Sequence, residues 1–336
     1  MTERRFSGRI FWEGELREGT LYMDDRGLSF DDANDHEATI GTVIPSFINS
    51  HTHIGDSFIT SEPVGTLSEI VGPGGFKHRM LESASESIIK DHMQKSMDIM
   101  VNTGTTTFMD FRESGLNGVS MLKDIEVNSP RKMILGRPGD IEEALNMIES
   151  VDGFGMSSIS DHDIDLLREL SSICHKKKKI FAIHFSEGYS EDQKIILDLR
   201  PDLLVHCLFA SEEFLDSARN RNISVSITPR SNAFYGINVD YSRYFRNGLN
   251  VLLGTDNCMV ASPDIFSEME FLYIIQRNLN RIDPRQILSS TVDNPRIFLS
   301  SKGKQEDRNL IMFPGKLLTE YEIIVRGRYL QKELIS

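Results

Sequence analysis

The segment from Val43 to His53, Val-Ile-Pro-Ser-Phe-Ile-Asn-Ser-His-Thr-His, is an apolar run that ends in two histidines separated by one residue. In an extended strand, residues i and i+2 point to one face, so His51 and His53 project together from the strand's C-terminal tip. Two imidazoles so placed can chelate one metal ion. By itself such a pair also suits ordinary core or surface histidines, and its weight comes from the rest of the chain.

Three further candidate ligands each end a short apolar run that precedes a helical pattern. Lys179-Ile-Phe-Ala-Ile-His184 and Leu203-Leu-Val-His206 end in histidine, and Asn250-Val-Leu-Leu-Gly-Thr-Asp256 ends in aspartate. Singly, each suits a core histidine or a helix-capping aspartate. Together they require the same accident to recur at the same edge. The mixture of nitrogen and oxygen donors suits zinc or ferrous iron with a position left open for water.

The alternation of strands and helices supports a common edge. Strand candidates after the first lie at 105–111, 132–135, 153–159, 180–184, 203–206, 223–228 and 251–254, which makes eight. Amphipathic patterns separate them, near 82–102 (Ile89, Met93, Met97 and Met100 on one face, closed by Gly104) and at 142–151, 163–176, 191–199 and 212–222. The lysine run 176–179 reads as a solvated helix end. Eight strands with helical crossovers imply an α/β fold, a closed parallel (β/α)8 barrel with its site at the C-terminal strand ends. Residues 9–16, 19–23, 309–313 and 322–325 read as short strands outside that count. They are expected to form a small sandwich-like β domain from both chain ends, 1–44 with 305–336, around a barrel of 45–304.

These pieces resemble the amidohydrolase superfamily of metal-dependent hydrolases, and in particular its deaminase and chlorohydrolase branch. The likeness runs through Pro45 to His53, Gly104-Thr-Thr-Thr-Phe-Met-Asp110, His184-Phe-Ser-Glu187, His206-Cys207, Thr228-Pro-Arg-Ser-Asn232 and Leu253-Gly-Thr-Asp-Asn257, in the family's order. The resemblance implies that His51, His53, His184 and Asp256 hold the metal, that Glu187 and His206 handle protons, and that the fold is the TIM barrel with a sandwich from both termini. Binuclear relatives bridge two cations with a lysine or glutamate of the third or fourth strand. Neither residue stands in Gly153 to Ser160 or in Ile134-Leu-Gly-Arg-Pro138, so one divalent ion is expected, zinc in preference to iron.

The implied chemistry is hydrolytic release of ammonia from an aminated heterocycle. Glu187 would serve as general acid, with His206 and Asp256 orienting or deprotonating the attacking water. The same water can attack a cyclic amide or another C–N or C–halogen bond, and a barrel kept only as a binding scaffold should have lost ligands. Substrate contacts are sought in His78, Arg79, Arg112, Arg137, Arg230 and Asn232, since arginines near one cavity can accept a carboxylate or phosphate in bidentate fashion. Arg112 and Arg137 suit ordinary loop ion pairs equally, and Arg230 stands where many relatives carry a small residue. The glycine-rich stretch 65–80 is too long for a minimal connection and reads as a lid over the barrel mouth, or else as a packed surface loop.

A formal net charge of -13 argues against nucleic acid or an anionic membrane as partner and for a small-molecule substrate; self-association is compatible with it. Three cysteines, Cys174, Cys207 and Cys258, at no chelating spacing point to a reducing compartment. No apolar signal core opens the sequence and no run is long enough to span a bilayer, so a cytoplasmic enzyme is expected.

Overall fold

In the computed structural model, residues 3–126, 130–305 and 308–336 are described. The ends of the expected small domain at 1–2, and its positions 306–307, lie outside them. The first apolar run is split. Thr39–Pro45 joins one sheet and Phe47–His53 opens another, with Ser46 between them. At this junction Ser46 N–H donates to Asn309 O (2.9 Å), Phe47 N–H donates to Gly104 O (2.9 Å) and Arg296 donates to Ser46 O (2.9 Å). Pro45, with no N–H to donate, sits at the strand end, where it costs no ladder bond.

The barrel strands are Phe47–His53, Thr105–Arg112, Arg131–Gly136, Gly153–Met156, Ile180–Phe185, Leu203–His206, Ser224–Ile227 and an eighth in two pieces, Val251–Leu253 and Asp256–Asn257. All neighbours are parallel. The broken strand closes the ring. Its first piece pairs with strand seven (Val225 with Val251) and its second with strand one (Thr52 with Asp256). Gly254 makes the crossing, and a Cβ there would lie 2.6 Å from Cβ of His51. The close approach of strand eight to strand one therefore requires glycine.

Helices wrap the barrel as the apolar spacing predicts, with two differences. The expected helix at 82–102 is two, Phe76–Ser83 and Glu86–Asn102, because Ala84 and Ser85 adopt extended backbone. Ile89, Met93, Met97 and Met100 are all buried on the second, and Gly104 follows it in the left-handed region (φ +89°). Within 65–80 there is also a short helix, Leu67–Val71, started by a reciprocal capping box between Thr66 and Glu69.

Strands Arg4–Trp12, Glu15–Asp24, Gly27–Asp31, Thr39–Pro45, Leu310–Pro314 and Glu333–Ile335 build one six-stranded sheet from both chain ends. The expected strand at 9–16 contains a hairpin turn instead. Glu13 and Gly14 both have positive φ (50° and 85°), which matches the twist of a two-residue hairpin between Trp12 and Glu15. Residues 322–325 are helical, not a strand: a second capping box, Thr319 with Glu322, starts the helix Glu320–Arg326, and Ile323 and Ile324 are buried. Local capping outweighs the strand preference of the Ile-Ile-Val run.

Candidate active site

Strand one delivers His51 and His53 to the barrel's C-terminal mouth on one face, strand five delivers His184, and the second piece of strand eight delivers Asp256. Candidate ligand atoms of these four lie within 4.8 Å of one another. Nε2 of His184 is 3.2 Å from Nε2 of His51 and 3.4 Å from Nε2 of His53. Oδ1 of Asp256 is 3.2 Å from Nε2 of His51 and 3.5 Å from Nε2 of His53. Ligands 2.0–2.1 Å from a common tetrahedral ion stand roughly 3.3 Å apart, so the four atoms surround a point suited to zinc.

Hydrogen bonding at the far ring nitrogens makes the fit specific. His53 Nδ1 faces two acceptors, Phe111 O (3.0 Å) and Glu113 Oε1 (2.6 Å), and His184 Nδ1 faces Met156 O (2.8 Å). Both Nδ1 atoms therefore carry the proton, and both Nε2 atoms present lone pairs to each other. Two buried lone pairs 3.4 Å apart repel unless a cation lies between them. Burial and the nearby Lys77 ammonium push His53 down to about 3, and burial with the other histidines holds His184 well below the usual range. Neutral imidazoles are the form that ligation needs. His51 packs edge-on against Phe111, with ring centroids 4.2 Å apart.

Asp256 is held from three sides. Ser231 Oγ–H donates to Oδ2 (2.6 Å), Asn257 Nδ2–H donates to Oδ1 (3.0 Å), and its backbone is left-handed (φ +62°). Burial pushes its carboxyl up, but the hydrogen bond and charge of His51 outweigh that and hold it well below the usual carboxylate range. Glu187 behaves oppositely. A left-handed Ser186 (φ +48°) turns the chain after strand five so that Glu187 lines the cavity. Burial and the neighbouring Asp256 charge raise its carboxyl well above the ordinary value. The two carboxyls are therefore pushed in opposite directions, Asp256 towards its ionised form and Glu187 towards its protonated form, the division that suits an acid and base pair.

His206 stands beside Glu187, with Nε2 3.4 Å from Oε2. Behind it, Asn232 Oδ1 accepts from the Tyr241 hydroxyl (3.0 Å), which orients the amide so that Nδ2 faces His206 Nδ1 (3.2 Å). Nδ1 is then the acceptor and the His206 proton sits on Nε2, towards Glu187. Burial lowers His206 to about 4, so the ring is neutral.

A cavity of about 320 Å³ opens over this cluster. Leu67, Val71 and Lys77 of the segment after strand one line it, with Arg137 and Tyr189 on other walls. The structure thus brings together all the expected metal and proton-handling residues, but only Arg137 among the six expected substrate contacts. His78 Nδ1 accepts from Gly74 N–H (3.0 Å) and Arg79 donates to Gly74 O (2.8 Å), both outside the lining. Arg112 is 1 % exposed and locked between Asp110 (3.3 Å) and Glu113 (2.8 Å). Its guanidinium lies where a Cβ on Gly55 would be, so glycine is needed there too. Arg230 pairs with the buried Glu268 (2.5 Å), and Asn232 backs His206. Helix geometry explains the first correction: Lys77 points inward, so its neighbours His78 and Arg79 turn away. Lys77 and Glu113 were not singled out by spacing; their only signal was position in the loops after strands one and two.

Among the described residues, no helix is long and apolar enough to cross a membrane. The three cysteines are free, and burial raises the Cys174 thiol to about 12, which leaves it inert.

The sequence model of the amidohydrolase family matches residues 42–293. A relative from Archaeoglobus fulgidus, provisionally named as an aminohydrolase, is 36% identical over 79% of this chain and 78% of its own. A 5'-deoxyadenosine deaminase from Methanosphaera stadtmanae is 23% identical over 77% of this chain and 69% of its own. Among solved structures, Helicobacter pylori aminofutalosine deaminase in complex with methylthio-coformycin superposes with a TM-score of 0.75 at 15% identity, covering 98% of this chain and 97% of that one.

Proposed function

Because the chain belongs to the amidohydrolase family, with three quarters of its length inside the family match, we propose that it is a mononuclear, zinc-dependent hydrolase that deaminates an aminated heterocycle. The observation that carries this reading is the position of Glu187, which lines the cavity 3.4 Å from His206 and beside the His51, His53, His184 and Asp256 cluster, with its carboxyl raised well above the ordinary value. A divalent cation held by those four residues, zinc in preference to iron, would supply a strong nucleophile from water at neutral pH. Asp256, ionised and adjacent, takes the proton from the attacking water. His206 donates its Nε2–H to the water oxygen and so fixes the line of attack. Glu187 passes its proton to the ring nitrogen of an N=C–NH2 unit as that nitrogen gains electrons. Collapse of the tetrahedral carbon then expels ammonia: the proton that Asp256 took goes to the leaving amine, and the proton of the new C–OH returns to Glu187 as the carbonyl forms.

Arg137 supports a substrate with an anionic or strongly polar tail. Its Nε–H donates to Gly155 O (3.1 Å), which fixes the stem, and the guanidinium lines the cavity. The relative named above as a 5'-deoxyadenosine deaminase favours a purine-like ring, and Leu67 and Val71 offer an apolar wall to one. An ammonia-release screen across aminated purines, pyrimidines, pterins and triazines tests the reading, with Glu187→Gln as control. Turnover that releases a different leaving group would move the assignment to another C–N or C–halogen hydrolase.

A further inference from the structure

We propose that Lys77 is a positioning residue: it couples docking of the helix Phe76–Ser83 to the geometry of the metal-binding cluster, through Glu113 to His53 and through Asn257 to Asp256. The inference rests on the metal-binding reading above but not on the deaminase chemistry.

Lys77 is 4 % exposed, although it lies in a segment whose other charged residues face solvent. Its ammonium contacts Glu113 Oε1, donates to Asn257 Oδ1 (2.9 Å) and lies 3.6 Å from Asp56 Oδ2. The same Glu113 oxygen lies 2.6 Å from His53 Nδ1, whose hydrogen bond goes to Phe111 O (3.0 Å). The same Asn257 amide donates through Nδ2 to Asp256 Oδ1 (3.0 Å), the oxygen that faces His51 and His53. One buried ammonium therefore stands a single residue away from two of the four ligands, on different strands.

The chemistry of Asn257 makes this contact directional. An amide presents an acceptor on one side and donors on the other. With Lys77 bound to Oδ1, only Nδ2 can face Asp256. Without Lys77, nothing fixes which way the amide faces, and the turned amide sets Oδ1 against Asp256 Oδ1, acceptor against acceptor. Glu113 would also lose the cation that holds its oxygen beside His53 Nδ1, where with Phe111 O it keeps the His53 lone pair on Nε2. Partners of this kind typically change metal affinity 10- to 100-fold when removed.

A buried ammonium is costly unless fully partnered, and these partners exist only while the helix is docked. Metal binding and helix docking should accordingly stabilise each other, since any coupling between two events is reciprocal.

The test uses the full chain stripped of metal and titrated with zinc against a competing chelator, or with cobalt(II) for its d–d spectrum. Lys77→Met keeps the stem and removes the charge and donors. It should weaken zinc binding roughly 10- to 100-fold and alter the cobalt spectrum, while Lys77→Arg recovers part of the loss and His78→Ala, on the same helix, changes neither. In the unaltered protein, zinc should slow amide hydrogen exchange across 76–83. Zinc affinity of Lys77→Met within twofold of the parent, with an unchanged cobalt spectrum, overturns the proposal. Should Lys77→Met not fold, exchange at 76–83 that ignores zinc in the unaltered protein overturns it equally. A parent protein that binds no divalent ion removes the metal-binding reading and this inference together. Tight binding in both parent and variant removes the inference alone.

Discussion

Asn232 stands behind His206, not in the cavity: its Nδ2 is 3.2 Å from Nδ1 of the imidazole and its Oδ1 is fixed by the Tyr241 hydroxyl. The amide, with the Thr228 hydroxyl 3.1 Å from the same nitrogen, thereby sets which nitrogen of His206 carries the proton. Asn232→Ala should release that tautomer and lower kcat by roughly tenfold or more, with KM within about twofold and metal content intact. Steady-state kinetics with a confirmed substrate would check this, and a large rise in KM alone would restore Asn232 as a substrate contact.

Glu187→Gln keeps the shape of the side chain and removes the proton to be donated. Turnover should fall on the order of 100- to 10,000-fold while zinc content stays near that of the parent. Near-normal ammonia release would exclude Glu187 as the acid, and loss of zinc would recast it as a ligand.

Arg137 and the pair His78 and Arg79 make opposite predictions from one segment of sequence reasoning. Arg137→Met should raise KM roughly tenfold or more for substrates carrying an anionic group, the scale of a lost charged hydrogen bond, and much less for bare rings. The double replacement His78→Ala and Arg79→Ala should leave KM and kcat unchanged, because both side chains hydrogen-bond to Gly74 and neither lines the cavity. An equal effect on charged and uncharged substrates would show that Arg137 shapes the wall and does not bind the tail.

Asp56 predicts a pH dependence of stability. Burial raises its carboxyl to about 7, against an ordinary value of 3.8. The metal-free folded chain therefore keeps a proton that the unfolded chain releases, so stability falls as pH climbs from about 4 to 7 and is flat with respect to this group above and below. The penalty is of order a few kcal/mol at pH above 7. Asp56→Asn, neutral at every pH, should flatten that slope in urea titrations of the metal-free protein between pH 5 and 8. An unchanged slope would assign it to other groups.

How much of this was written in the sequence follows the range of the interactions involved. Period-two geometry at the tip of one strand determined that His51 and His53 share a face. Strand-then-helix repetition determined that His184, His206 and Asp256 reach the same edge of a barrel, and the family's three-residue step from His184 placed Glu187 beside them. The histidines and Asp256 depend on local backbone period plus one topological rule, that parallel barrels gather their strand ends, whereas Glu187 was legible only through the family resemblance, because the left-handed Ser186 that turns it inward follows no strand period. The sequence was misleading where two local preferences competed, as in the Ile-Ile-Val run of the helix Glu320–Arg326, and silent where the answer depended on contacts between distant segments. Only the tertiary structure decided that strand eight crosses at Gly254 against His51, and that Lys77, not His78 or Arg79, enters the site. It alone decided that Arg112 and Arg230 are spent on buried carboxylates while Arg137 faces the cavity. A long charged side chain can turn to any neighbour within its reach, and which neighbour it meets is set by packing across the fold, a quantity that no period along the chain encodes.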